Sequence, residues 1–168
     1  MAVINFNYKL DNNWNDFTHV PVRPAGFREN AQISTKTRNQ NFRTTVRNRE
    51  YVVAGLDYVL YIDKSESWNV TGTETIPFLA HEQGHYDITA IGARELYAGL
   101  FALKGSDIHD LSDKINALLK SNQEKMDIKT KNYDDQTKNG DDSGSQQLWE
   151  SKINTTKLNP NGVLNDLP

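Results

Sequence analysis

At residue 75 the hydrophobic pattern of the chain changes period, and this switch limits the folds open to it. Before it, polar and apolar residues alternate. Ile33-Ser34-Thr35-Lys36-Thr37-Arg38 reads in period two, and Phe42, Thr44 and Val46 stand opposite Arg43, Thr45 and Arg47. Such alternation marks strands with one face on a core and the other in water. Tyr51-Val52-Val53-Ala54 and residues 56–62 add further strand, with Gly55 as a bulge or bend between them. Asn39-Gln40-Asn41 and Asn48-Arg49-Glu50 supply turn chemistry. An antiparallel sheet of three to four strands is expected.

Beyond residue 75 the period is helical. Thr75-Ile76-Pro77 opens a helix, since proline is tolerated in a first turn. Helical spacing continues through Phe78, His81, His85, Ile88, Gly92, Leu96 and Leu103 to a stop at Lys104-Gly105. Ser106 or Asp107 caps a second helix with Leu111, Ile115, Leu118, Met126 and Tyr133 on its apolar stripe. The short turn predicts an antiparallel hairpin, with position 85 beside about 125 and Leu79 beside about 131. Residues 138–144 read as a loop, and a short helix over 146–153 places Trp149 against the domain. The expected class is therefore α+β, with one domain over 1–153 and a flexible C-terminal tail over 154–168.

A chain of 168 residues is long enough to bury a real core. It has no cysteine, which excludes disulfides and thiolate chemistry, so a metal would need His, Asp, Glu or another oxygen ligand. Only four histidines are present, and two lie within five residues. The net charge of −3 is too mild for a dedicated nucleic-acid binder. Arginines 23, 28, 38, 43, 47 and 49 read as the solvated face of the strands, because aromatic residues do not interleave with them. No apolar run approaches the roughly 20 residues of a membrane span. The N-terminal residues show no basic start followed by an apolar block, so an exported protein would begin here after a cleavage point.

The chemistry concentrates in His81-Glu82-Gln83-Gly84-His85. Residues four apart on a helix share one face, so two imidazoles can grip one zinc ion. Glu82, rotated by about 100°, is placed to act as general base on water. A catalytic zinc needs a third ligand, and nearby residues fail on geometry. Glu95 lies about 15 Å farther along the axis, and Asp87 is rotated by about 200° from His85. The returning helix offers Asp127, Tyr133, Asp134, Asp135 and Asn139. His19 and His109 read as surface residues.

His81-Glu82-Gln83-Gly84-His85-Tyr86-Asp87-Ile88, followed by Ala93-Arg94, resembles the signature of a bacterial family of predicted secreted zinc-dependent proteases. Asn13-Trp14-Asn15-Asp16-Phe17 and Ser65-Glu66-Ser67-Trp68 are similar to two of its upstream elements. Tyr133-Asp134-Asp135-Gln136-Thr137-Lys138-Asn139, then Gln147 and Trp149, are similar to its downstream one, except that Asn139 stands where the family has His. The resemblance implies a zincin-like metallopeptidase, secreted or periplasmic, acting on peptide or protein. Zn²⁺ would sit on His81 and His85, with Asp134, Asn139 or no protein group as third ligand. Asp134 is the preferred of these. Because Asn139 replaces a His, the alternative is a catalytically degenerate scaffold used for binding. Tyr133 is either a donor to the oxyanion or the last core aromatic of its helix. Arg94 and Asp87 are candidates to support the ligands, and residues 56–62 are the candidate edge strand for an extended substrate.

Overall fold

The change of period in the sequence becomes a change of layer in the structure. The computed structural model describes residues 2–168 and gives an α+β fold. Two long strands, β4 (Thr35–Arg47) and β5 (Glu50–Ile62), form an antiparallel hairpin. The runs that the sequence divides into four are thus two strands. The turn between them holds Asn48 and Arg49, both at positive φ (51° and 67°), as a two-residue hairpin turn of the I′ kind requires. Asn39-Gln40-Asn41 is not a turn: the ladder passes through it with a bulge, and Arg43 then pairs with Gly55.

Short strands complete the sheets. β1 (Ala2–Val3) adds parallel to β5, and β7 (Lys104–Gly105) adds antiparallel to its start. A second sheet has the order β2-β6-β3, from β2 (Thr18–Val20), β3 (Ala31–Gln32) and β6 (Trp68–Val70). The parallel pairs β1–β5 and β2–β6 join the expected antiparallel ones. Strand β5 lies inside its sheet, between β4 and the pair β1 and β7. Residues 56–62 are therefore not an edge strand, and the sequence expectation is corrected.

Helix α1 (Ile76–Ala102) is capped by the Thr75 side chain, which accepts from Phe78 N–H. It is buried on every side, as a helix at the centre of three packed layers must be. One face meets Leu10, Trp14, Phe17, Ile33 and Leu60, and another meets Leu56 and Tyr58 of β5. The third packs on α2 (Ile108–Thr137) and α3 (Ser143–Leu158) through Ile88, Ile91, Tyr133, Trp149 and Ile153. No helix among the described residues is long and apolar enough to cross a membrane.

The helical hairpin forms, but in a shifted register. Gly84, Gly92 and Gly99 of α1 lie against Tyr133, Met126 and Leu118 of α2. Position 84 therefore meets 133, about two turns beyond the simple symmetric expectation. The cause is β7: residues 104 and 105 leave the helical path to pair with β5, so the chain does not reverse at residue 105.

The tail expectation also fails. Helix α3 runs to residue 158, and Leu164 and Leu167 are buried beyond it. Arg94 fastens this segment by donating to the carbonyls of Thr156, Lys157 and Gly162, with its guanidinium over the Phe6 ring. Arg94 therefore serves the C-terminal segment and not the histidines. Asp87 likewise points away from them, to Lys157 Nζ at 2.7 Å.

The Asp87–Lys157 pair ties α1 to α3, with side chains only 6% and 8% exposed. Replacing Lys157 by Ala strands a buried carboxylate and should cost about 3–5 kcal/mol in denaturant unfolding. The apolar pair Asp87→Leu with Lys157→Met should recover most of that loss. A loss below about 1 kcal/mol for the single variant would mean that the pair is solvated.

Candidate metal centre

His81 and His85 leave α1 one turn apart, and the shifted register brings Asp134 of α2 directly over them. The three donor atoms form a near-equilateral triangle. His81 Nε2 is 3.1 Å from His85 Nε2, and Asp134 Oδ1 is 3.2 Å from the first and 2.9 Å from the second. Tetrahedral coordination at about 2.0–2.1 Å separates ligand atoms by about 3.3 Å, so a shift of a few tenths of an ångström seats an ion. Among the described residues these three form a group able to hold a metal. Asp134, not Asn139, is the third donor that the fold delivers. Asn139 lines the same cleft, Asp127 accepts from Gln123, and Asp135 pairs with Lys131.

The proton on His81 can be placed from its neighbours. The Thr137 hydroxyl donates to the Tyr133 carbonyl at 2.6 Å, so toward His81 Nδ1, at 3.3 Å, it can only accept. Gln146 spends its amide N–H groups on Tyr133 OH and Glu150, which turns its carbonyl oxygen to the same Nδ1 at 3.3 Å. Nδ1 therefore carries the hydrogen, and Nε2 presents a lone pair to the triangle. The ring is also clamped by stacking on Tyr133, with centroids 4.6 Å apart and planes 11° apart.

Tyr133 is thereby assigned, and the oxyanion-donor reading is corrected. Its side chain is fully buried, and its hydroxyl donates to the His81 carbonyl while accepting from Gln146. Burial raises its pKa above the ordinary phenol value. The hydroxyl has no hydrogen left to offer the cleft. Gly84 makes this contact possible, because a Cβ there would fall 2.1 Å from the Tyr133 oxygen.

Electrostatics favour a cation at the triangle. Burial works to raise the Asp134 carboxyl, but its close contacts with the His81 and His85 rings hold it well below the usual carboxylate range. Burial works to lower His85, and the Asp134 and Glu82 carboxylates more than offset it, so its pKa is raised. Glu82 faces the same cleft, 4% exposed, with Oε2 accepting from Ile33 N–H at 2.8 Å. Burial raises its pKa against the opposing pull of both histidines. Its Oε1 has no hydrogen-bond partner among the described residues.

The cleft has a volume of 650 Å³ and runs between residues 26–35 and the two helices. Thr35 and Thr89 line it and are linked, as the Thr35 hydroxyl donates to that of Thr89, which donates to the His85 carbonyl. Gln83 anchors the N-terminal segment by accepting from Leu10 N–H and donating to the Tyr8 carbonyl. Sequence reasoning missed Thr137, Gln146 and the Ile33 amide. The first two had a readable signal, being polar residues on buried helical stripes four after Tyr133 and three before Trp149. Gln147, quoted for the resemblance, is exposed.

Two substitutions separate supporting residues from bystanders. Gln146→Leu should weaken Zn²⁺ binding about 10–100-fold by calorimetric titration, because His81 loses an orienting acceptor. Asn139→Ala should bind as the unaltered protein does. Equal affinity in the Gln146 variant, or loss in the Asn139 variant, would contradict the assignment.

Residues 66–141 match the model of a family described as bacterial protein of unknown function (DUF922). The matched span contains His81, Glu82, His85, Asp134 and Asn139, and it omits the β4–β5 hairpin and α3. No curated protein and no solved structure matches the chain.

Proposed function

We propose that the protein is a zinc-dependent peptidase, with His81, His85 and Asp134 as ligands and Glu82 as the base. The observation that carries this reading is the convergence of three donors, with Glu82 buried beside them in one cleft. Two imidazoles and a carboxylate suit zinc better than the harder magnesium or calcium, and three protein ligands are the number catalytic zinc sites use. Bound zinc supplies Lewis acidity toward a carbonyl and lowers the pKa of a water to about 7.

The remaining work falls to the chain. Ile33 N–H holds Glu82 Oε2, so the carboxylate keeps one orientation and offers Oε1 to the attacking water. Oε1 takes the proton and returns it to the leaving amine. The substrate is held by main-chain pairing. Among the described residues β3 pairs with β6 on one side only, and its other edge lines the cleft beside Glu82. An extended peptide adding to that edge brings its carbonyl past the three ligands. This edge takes the role that the sequence reading gave to residues 56–62. The scaffold-only alternative rested on Asn139, and Asp134 supplies the donor that Asn139 lacks.

Glu82→Gln should retain zinc and lower hydrolysis of a fluorogenic casein substrate by about 10²–10⁴-fold. Turnover within about threefold of the unaltered protein would remove Glu82 from the mechanism, and zinc-loaded protein without measurable turnover on any peptide library would favour the scaffold.

A further inference from the structure

The least covered part of the fold is β4. This 13-residue strand is the edge of its sheet, and residues 37–47 are almost all exposed. Pairing places Lys36, Arg38, Arg43 and Arg47 opposite Tyr61, Val59, Gly55 and Glu50. Helix α1 covers the face that carries Leu56, Tyr58 and Leu60, and the register shifts on either side of Arg43 keep these four cations together on the other, open face. Residues 35–49 hold five basic groups and no acidic one. Lys36 is neutralised by Asp63 and Glu66, at 2.7 and 2.6 Å. Arg38, Arg43 and Arg47 form no salt bridge among the described residues.

A long free edge is a template for another strand, and charges usually guard it. Here the guard is of one sign, which makes it selective. A second copy of β4 would set arginine against arginine, which is unfavourable across a strand pair. An acidic strand carries a carboxylate at every second residue on one face, so several can reach the guanidiniums that β4 spaces five and four residues apart across its bulge. The geometry points to β4 as a docking edge for an acidic, extended segment of a partner protein, held by main-chain ladder bonds and read by Arg38, Arg43 and Arg47. This site is separate from the ligand triangle and does not depend on zinc or on hydrolysis. Its first residue, Thr35, also lines the cleft, so the docked segment ends beside the cleft.

The test uses the full chain and a fluorescein-labelled peptide of alternating Glu and Thr, about 12 residues long, followed by anisotropy at about 50 mM salt. Binding is expected, with slowed amide exchange along β4. The variant carrying Arg38→Glu and Arg47→Glu should bind at least about tenfold more weakly, with an unchanged Tm. Replacing every Thr of the peptide by Pro keeps the charge and removes ladder donors, and should also weaken binding at least about tenfold. Should both exposed-face substitutions lower the Tm, the Pro peptide alone decides. Four results would each overturn the proposal: no binding of the acidic peptide, equal binding of its Pro form, tighter binding of a single-stranded oligonucleotide of equal charge, or self-association of the protein through β4.

Discussion

The close approach of α2 to α1 at Gly84 is the contact on which the metal centre depends. Without a side chain at position 84, the Tyr133 hydroxyl reaches the His81 carbonyl and its ring lies flat on the His81 imidazole. That contact fixes the distance between the helices in the register that β7 imposes. Asp134, the next residue on α2, then has its carboxylate over both histidines. A shift of one residue rotates a helix by about 100° and would carry Asp134 off the triangle. Gly84 is thus as much a part of the site as the residues that ligate.

Around this contact the HEQGHYDI run divides its labour between chemistry and architecture. His81, Glu82 and His85 face the cleft. Gln83 holds the segment at Tyr8 and Leu10, Tyr86 donates to the Asn5 carbonyl, Asp87 pairs with Lys157, and Ile88 is fully buried. About two helical turns therefore order the N-terminal segment and α3 around the donors. This explains why a helix that is buried on all sides carries so many polar groups: each has a partner, and the partners lie on different elements.

Much of this was legible in the sequence because it follows from period and spacing. The change at residue 75, the i and i+4 histidines, the Thr75 start of α1 and the inward Trp149 all depend on local geometry. Asp134 was already the preferred third ligand, but spacing alone left Asn139 open beside it, because separating the two needed the register of two helices. That register depends on β7, a two-residue detour that pairs with a strand 52 residues earlier at its closest, Lys104 with Val52. Tyr133 was read in both of its possible roles, and only the hydrogen-bond accounting at its hydroxyl decides between them. The C-terminal segment misled because Asn, Pro and Gly signal irregular backbone, not a free one. Leu164 and Leu167 were the apolar residues that tied it down.

The most direct test of the account is a crystal structure of the zinc-loaded protein with anomalous scattering measured on both sides of the zinc absorption edge. A single zinc peak is expected about 2.0–2.2 Å from His81 Nε2, His85 Nε2 and Asp134 Oδ1, with Glu82 outside the coordination shell. A zinc peak ligated through Asn139 in place of Asp134, or no peak at the two histidines in zinc-saturated crystals, would contradict it.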